Sequence, residues 1–370
     1  MADALNRIRG LSWLATAWPA LQALRARDHH AVLLHGQGGI GKKGLALDFA
    51  ASLLCETPKQ DGHACGRCQG CVLFQSRNHP DLRVVVPDTL AWLRPLAAEE
   101  EGEESEDTGE DERRGTRVSR EIKIEAVRAI GSLVEVTAHR AGMRVVFLAP
   151  AEALNAPAAN ALLKMLEEPP PRTLFILTSD RIDEVLPTIR SRCVLVRIAP
   201  PPADVAAAWL REQGVADATD RLAAAGGAPL LVLEQEEADN ASLSMQTAGV
   251  LLEALGQGAR LDAVGVAGRL PRSPAIGQII DLFQRWGWDL LAVRQAGRVR
   301  YHRQQREILS KLAASVSESR LLAWMDSLKQ ARAAADHPLN ARLVIEALLV
   351  DYVSCVRGDR TALKAAAPRG

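Results

Sequence analysis

The sequence predicts an α/β module built on a parallel sheet, followed by a wholly helical region. Three observations carry that prediction. An apolar run, Ala31-Val32-Leu33-Leu34, enters the stretch His35-Gly36-Gln37-Gly38-Gly39-Ile40-Gly41-Lys42-Lys43, and an Ala/Leu-rich helical segment follows. Short apolar runs then alternate with helical segments as far as Ile198, the pattern of a parallel sheet with helices on both faces. From about residue 240 onward no convincing strand follows, and the apolar residues fall on helices, which makes the C-terminal third a helix bundle.

Bulk properties bound the function. At 370 residues the chain exceeds one ordinary core, so two or three domains are expected. Acidic and basic residues balance at 45 each, which removes any global positive field for nucleic acid. There is no leader-like start and no apolar run near the ~18 residues of a membrane span. A cytoplasmic protein without a membrane partner is therefore expected. Six cysteines, four of them clustered, suit metal binding in a reducing compartment rather than disulfides.

The elements follow in order. Trp13, Trp18, Leu21 and Leu24 have helical spacing in an N-terminal segment that ends near Arg27-Asp28-His29-His30, and the tryptophans are expected to pack on the domain. Strand, glycine loop and helix then make the context in which G-x-x-x-x-G-K-[ST] cradles phosphate through inward-facing N–H groups and a helix N-terminus. Gly36, Gly38, Gly39, Gly41 and Lys42 supply that loop, but Lys43 stands where a Ser or Thr hydroxyl would hold Mg²⁺. The helix behind the loop is expected over 45–54. Cys55, Cys65, Cys68 and Cys71 lie within 17 residues, with Gly66 and Gly70 expected to permit the knuckle turns. Four converging thiolates close a structural Zn²⁺ shell with no open position, the expected reading against free thiols or a redox C-x-x-C pair; His63 and His79 rank below them as ligands.

Leu82–Val86 reads as a second strand. The run from Glu99 to Glu112 is almost all acid and is expected, over 97–117, to be a solvated loop without structure. Ile122, Val127, Ile130 and Val134 trace one helix face. Arg144–Leu148 is a strand buried on both faces. A nucleotide-hydrolysing core would end such a strand in Asp, often followed by Glu; this one ends in Ala149-Pro150. Asn155, with Pro157 behind it, opens a helix over 158–168 that Pro169-Pro170-Pro171 stops. A fourth strand covers 173–178 and leads into Ser179-Asp180. Pro187–Cys193 leads into a fifth over 194–198, and Pro200–Pro202 reads as a hinge. Short helices are expected over 205–214 and 216–225, with Gly226-Gly227-Ala228-Pro229 breaking the second from a further apolar helix.

Taken together, the glycine loop, the four-cysteine insertion with His79-Pro80-Asp81, the Ala159–Pro170 stretch, Ser191-Arg192-Cys193 and the Leu339–Leu349 segment closely resemble the δ′-subunit family of the bacterial DNA polymerase III clamp loader. The similarity covers nearly the whole chain except the acidic insertion. It implies an AAA+ P-loop-like domain over 1–199 with an inserted zinc knuckle at 55–71. It further implies a small helical lid over 200–240 and an all-α collar over 241–370 that joins subunits in a ring.

The resemblance also sorts function. Its relatives divide into ATP-hydrolysing γ and τ motor subunits and the δ′ stator. Lys43 and Ala149 each remove a Mg²⁺ anchor, and Pro150 removes the group that would polarise water. No Arg lies between Leu222 and Ala259, so the lid arginine of a motor is missing. A non-hydrolysing stator is implied, part of the polymerase holoenzyme, assembled with γ/τ and δ subunits in a hetero-pentameric ring that loads the sliding clamp onto primed DNA. Arg192 would then reach across an interface as an arginine finger for a neighbour's ATP, the plainer alternative being a surface ion-pair partner, with Ser191 orienting its turn and Cys193 in the core. The alternatives are a γ/τ-like motor working despite Lys43 and a nucleic-acid binder using the cysteine knuckle. Whether the degenerate loop still holds a nucleotide is left open by the sequence.

Overall fold

The computed structural model describes residues 11–25, 29–93, 119–134, 143–237, 245–271, 276–334 and 341–358. The acidic run 97–117 lies outside these. Two compact units divide the chain, Met1–Pro201 and Pro202–Gly370, and the boundary falls inside the proline run.

A short 3₁₀ turn, Ser12–Ala17, opens the first unit and leads into α1 (Trp18–Arg25). Then come β1 (Ala31–His35), α2 (Lys42–Leu53), α3 (Gln69–Gln75), β2 (Leu82–Val85) and α4 (Ile124–Val134). The unit ends with β3 (Arg144–Leu148), α5 (Ala156–Glu167), β4 (Thr173–Ser179), α6 (Pro187–Arg190) and β5 (Val194–Arg197). The five strands form one parallel sheet in the order β2-β3-β4-β1-β5. Ala31 pairs with Phe175 on one side of β1, and Val32 pairs with Val194 on the other. β3 and β4 are buried along their whole length, which is why they read as unbroken apolar runs.

Two local expectations differ from the structure. Ile122 is buried beside Val127 and Ile130 but precedes α4; it forms an isolated parallel bridge with Leu154, its N–H donating to the Ala153 carbonyl at 2.7 Å. Its place in the core mimicked helical spacing. α2 starts at Lys42, within the glycine-loop motif, rather than at residue 45. Asn155 caps α5 as its residue type suggests, the side-chain oxygen accepting the Ala158 N–H at 3.0 Å.

The second unit is helical throughout its described residues. α7 (Ala203–Glu212), α8 (Ala218–Ala224) and α9 (Pro229–Glu237) share a small core that includes Ala206, Leu210, Leu222 and Val232. α10 (Met245–Gly256), α11 (Ala263–Arg269), α12 (Ile276–Ala296), α13 (Arg306–Ser315), α14 (Glu318–Ala334) and α15 (Ala341–Arg357) enclose a larger one. Trp286, Trp324, Tyr352 and Phe283 fill its centre. The Trp286 indole N–H donates to the Tyr352 hydroxyl at 3.1 Å, and that hydroxyl donates to the Leu255 carbonyl at 2.7 Å. Buried Asp289 accepts the backbone N–H groups of Arg300, Tyr301 and His302 and pairs with the His302 ring at 2.9 Å. One carboxylate thereby fixes the turn between α12 and α13. No helix among the described residues is long and apolar enough to cross a membrane.

Candidate functional site

The candidate site residues of the first unit fall in three clusters: the glycine loop, the four thiols and the turn around Arg192.

The loop joins the carboxyl end of β1 to α2. Gly36 is held against the Ile198 carbonyl, leaving no room for a Cβ. Gly41 has φ +100°, a left-handed conformation, and a Cβ there would strike Leu11 and Leu14 of the N-terminal segment. That segment closes over the loop: the Trp13 indole N–H donates to the Ile40 carbonyl at 2.9 Å. Gly39 is also left-handed at φ +72°. Lys42 is 3 % exposed, and its ammonium donates to the Gly36 carbonyl at 2.9 Å and the Gln37 carbonyl at 2.5 Å. It also meets the Asp180 carboxylate at 2.5 Å. Burial pushes the Lys42 pKa down, and Asp180 opposes that shift.

Asp180 follows the last residue of β4, and β4 neighbours β1, so the sheet delivers its carboxylate over the loop. A Cβ at Gly38 would lie 3.3 Å from Asp180 Oδ2. Glu152, two residues beyond Ala149-Pro150, holds Asp180 in place by accepting its backbone N–H at 2.9 Å and that of Arg181 at 3.2 Å. Neither acid belongs to a motif that the sequence makes legible. β3 ends at Leu148 and is followed by buried Ala149 and half-buried Pro150, with no carboxylate at either position, and Lys43 sits half-buried as the second residue of α2.

The four thiols Cys55, Cys65, Cys68 and Cys71 lie within 4.8 Å of one another and could hold a metal ion. Cys55 and Cys68 sulfurs are 3.8 Å apart, and Cys65 and Cys71 sulfurs 3.9 Å. A tetrahedron with Zn–S bonds of ~2.3 Å has edges of about 3.8 Å, which these two separations match, and four thiols are a donor set suited to that ion. The sulfurs accept N–H bonds of 3.2–3.4 Å from Cys65, Gly66, Cys68 and Cys71. The Thr57 hydroxyl donates to Cys65, the largest of the influences that bring this thiol down to about 5, while burial pushes Cys71 up to about 12. Gly66 has φ +79° with open space around it, so it serves the turn. Gly70 does not: it lies in α3, and its role is space, since a Cβ would sit 2.5 Å from the Leu54 carbonyl oxygen. The histidines have other partners: His63 stacks on Trp18 with ring centres 3.8 Å apart, and His79 Nδ1 accepts the Asp81 N–H at 3.2 Å.

Arg192 stands on the turn between α6 and β5. It pairs with Glu167 at 2.5 Å and donates to the Thr188 carbonyl at 3.0 Å and to the Ser191 hydroxyl at 3.4 Å. Ser191 in turn donates to Thr188, fixing the turn. Cys193 packs on the sheet core, where burial pushes its thiol up to about 12. Because Val194 pairs with Val32 and Arg197 with His35, Arg192 lies at the amino end of the strands, opposite the glycine loop.

A sequence profile described as "DNA polymerase III, delta subunit" matches residues 19–202. The chain is 32% identical over 355 residues to DNA polymerase III subunit delta′ of Pseudomonas aeruginosa, covering 92% of this chain and 97% of that protein. It is 33% identical over 240 residues to the delta′ subunit of Escherichia coli, 63% of each chain. Among solved structures, a DNA polymerase III gamma subunit-related protein from Thermotoga maritima aligns with a TM-score of 0.40 at 16% identity, covering 91% of this chain and 99% of that one. The Bacillus subtilis clamp loader delta protein aligns at 0.30 and 12%, covering 92% and 99%. By sequence the chain belongs to the δ′-subunit family of bacterial DNA polymerase III.

Proposed function

We propose that this chain is the non-hydrolysing stator of a replicative clamp loader. In this reading it joins γ/τ and δ subunits in a hetero-pentameric ring, helps load the sliding clamp onto primed DNA, and lends Arg192 to a neighbour's ATP. The observation that carries it is the loss of both metal anchors: Lys43 at the second position of α2 and the carboxylate-free end of β3. Phosphoryl transfer needs a metal to neutralise charge between the β- and γ-phosphates, and nothing at these positions holds one. The position of Arg192 supports action in trans. Four to five strand residues at ~3.3 Å each separate it from the chain's own loop, beyond the reach of one side chain. The Glu167 pair must then open on assembly. An arginine finger is worth roughly 10³–10⁵ in rate.

The first unit would be the AAA+ module, α7 to α9 the lid, and α10 to α15 the collar. Cys55, Cys65, Cys68 and Cys71 would hold a structural Zn²⁺, which, with its shell closed, pins the end of α2 to α3 rather than taking part in a reaction. The test is a reconstituted loader carrying R192A. Assembly should be intact and ATP turnover at one partner site reduced; unchanged turnover and loading would refute the finger. Robust Mg²⁺-dependent ATP turnover by the purified chain alone would refute the stator and favour a γ/τ-like motor.

A further inference from the structure

The lysine of the glycine loop already holds an anion, and the anion is part of the same chain. An ammonium has three N–H donors. On Lys42 these go to the Gly36 carbonyl, the Gln37 carbonyl and Asp180 Oδ1, and the side chain is 2 % exposed. None is left for a phosphate oxygen. On the other side of the loop, Gly38 is faced by the second oxygen of the same carboxylate, 3.3 Å from where a Cβ would stand. Backbone approach at that point is what a glycine loop offers to a phosphate. The Asp180 side chain is 36 % exposed, but its backbone is anchored: Glu152 accepts its N–H at 2.9 Å and brings a second negative charge to the same corner. A nucleotide polyphosphate therefore does not fit the loop as its residues stand.

We infer that the Asp180 carboxylate occupies the phosphate position of the glycine loop and keeps polyphosphate ligands off Lys42. This goes beyond the stator reading. Lys43, Ala149 and Pro150 bear on hydrolysis, whereas Asp180 bears on binding itself. A loop that has lost only its metal ligands would still take a diphosphate; one whose lysine is neutralised from within would not. The retained lysine and glycines then serve the fold, with the carboxylate as their permanent ligand.

The test is a titration of the full chain with inorganic pyrophosphate and with ADP in metal-free buffer, followed by calorimetry. The parent chain should show no saturable binding below ~1 mM, and D180A should bind at least ~10-fold tighter, the gain expected when one opposing charge is removed and Lys42 is released. D180N keeps the shape and still accepts from Lys42, so a smaller gain is expected; it also supplies the folded comparison if D180A loses its thermal transition. Adding K42M to D180A should abolish the gain. Micromolar pyrophosphate binding by the parent chain would overturn the inference. So would unchanged affinity in the folded Asp180 variants, or a gain that survives without Lys42. Failure of the stator reading has a separate readout, Mg²⁺-dependent turnover of ATP.

Discussion

Gly70→Ala tests the thiol cluster by a change that touches none of the sulfurs. The new Cβ would stand 2.5 Å from the Leu54 carbonyl oxygen, with His79 Nε2 next at 3.5 Å. A carbon and a carbonyl oxygen normally keep about 3.3 Å, so α3 and the 54–55 backbone must part by roughly 0.8 Å. Cys55 is the next residue after Leu54, and Cys68 and Cys71 flank Gly70, so the displacement acts directly across the 3.8 Å separation of Cys55 and Cys68. Metal–ligand distances tolerate only about ±0.2 Å. The expected result is a loss of ~10–100-fold in Zn²⁺ affinity, the range seen when groups supporting metal ligands are disturbed. Competition against a chromophoric chelator measures it, with metal content of the purified protein as a second readout. Gly66→Ala is the comparison: it forces a left-handed alanine at about 1–2 kcal/mol but meets no atom within 4 Å, so affinity should hold far better. Equal affinity in G70A and the parent chain would show that the thiols do not depend on this close approach.

Three further outcomes follow from the packing. Asp289→Asn should destabilise the second unit by ~3–5 kcal/mol, since an amide cannot serve three backbone N–H groups and His302 as a carboxylate does. Burial raises the Asp289 pKa, but His302 and those N–H groups outweigh it and hold the carboxyl below its ordinary value. Its contribution is therefore full above about pH 4 and lost as the pH falls through the depressed value, so urea melts of parent and variant should converge in acid. Tyr352→Phe strands the Trp286 N–H and the Leu255 carbonyl in the core and should cost about 1–3 kcal/mol by thermal or denaturant unfolding. Asn155→Ala removes the α5 cap and should cost ~0.5–2 kcal/mol by the same measurement.

What the sequence disclosed depends on whether a residue's role is local. Arg144–Leu148 was readable as a strand because burial on both faces demands an unbroken apolar run, and the thiols were readable because their spacing lets them converge. Asn155 announced a helix start because its side chain serves an N–H three residues on. Ile122 misled because core proximity, not helix geometry, set its spacing. Gly70 is conformationally ordinary; only the approach of Leu54, 16 positions away in the chain, makes a side chain there intolerable. Asp180, Glu152 and Glu167 could not be assigned at all. A lone acid after a strand or at a helix end has no periodicity, and its meaning depends on which strands are neighbours. Nothing local in the chain states that β4 lies beside β1.

That strand order also governs the order of assembly during synthesis. β1 leaves the ribosome first, yet its hydrogen-bonding neighbours are β4 and β5, whose residues begin at Thr173 and Val194. β2 with β3 and β3 with β4 are closer in sequence and can pair before β1 has a place to go. An apolar strand and its following helix thus wait through more than a hundred residues of translation for their partners. Such exposed apolar surface is what invites chaperones and aggregation. Truncations ending before β4 are expected to be insoluble, and the glycine loop, fastened on β1, should be among the last parts of its unit to acquire native structure.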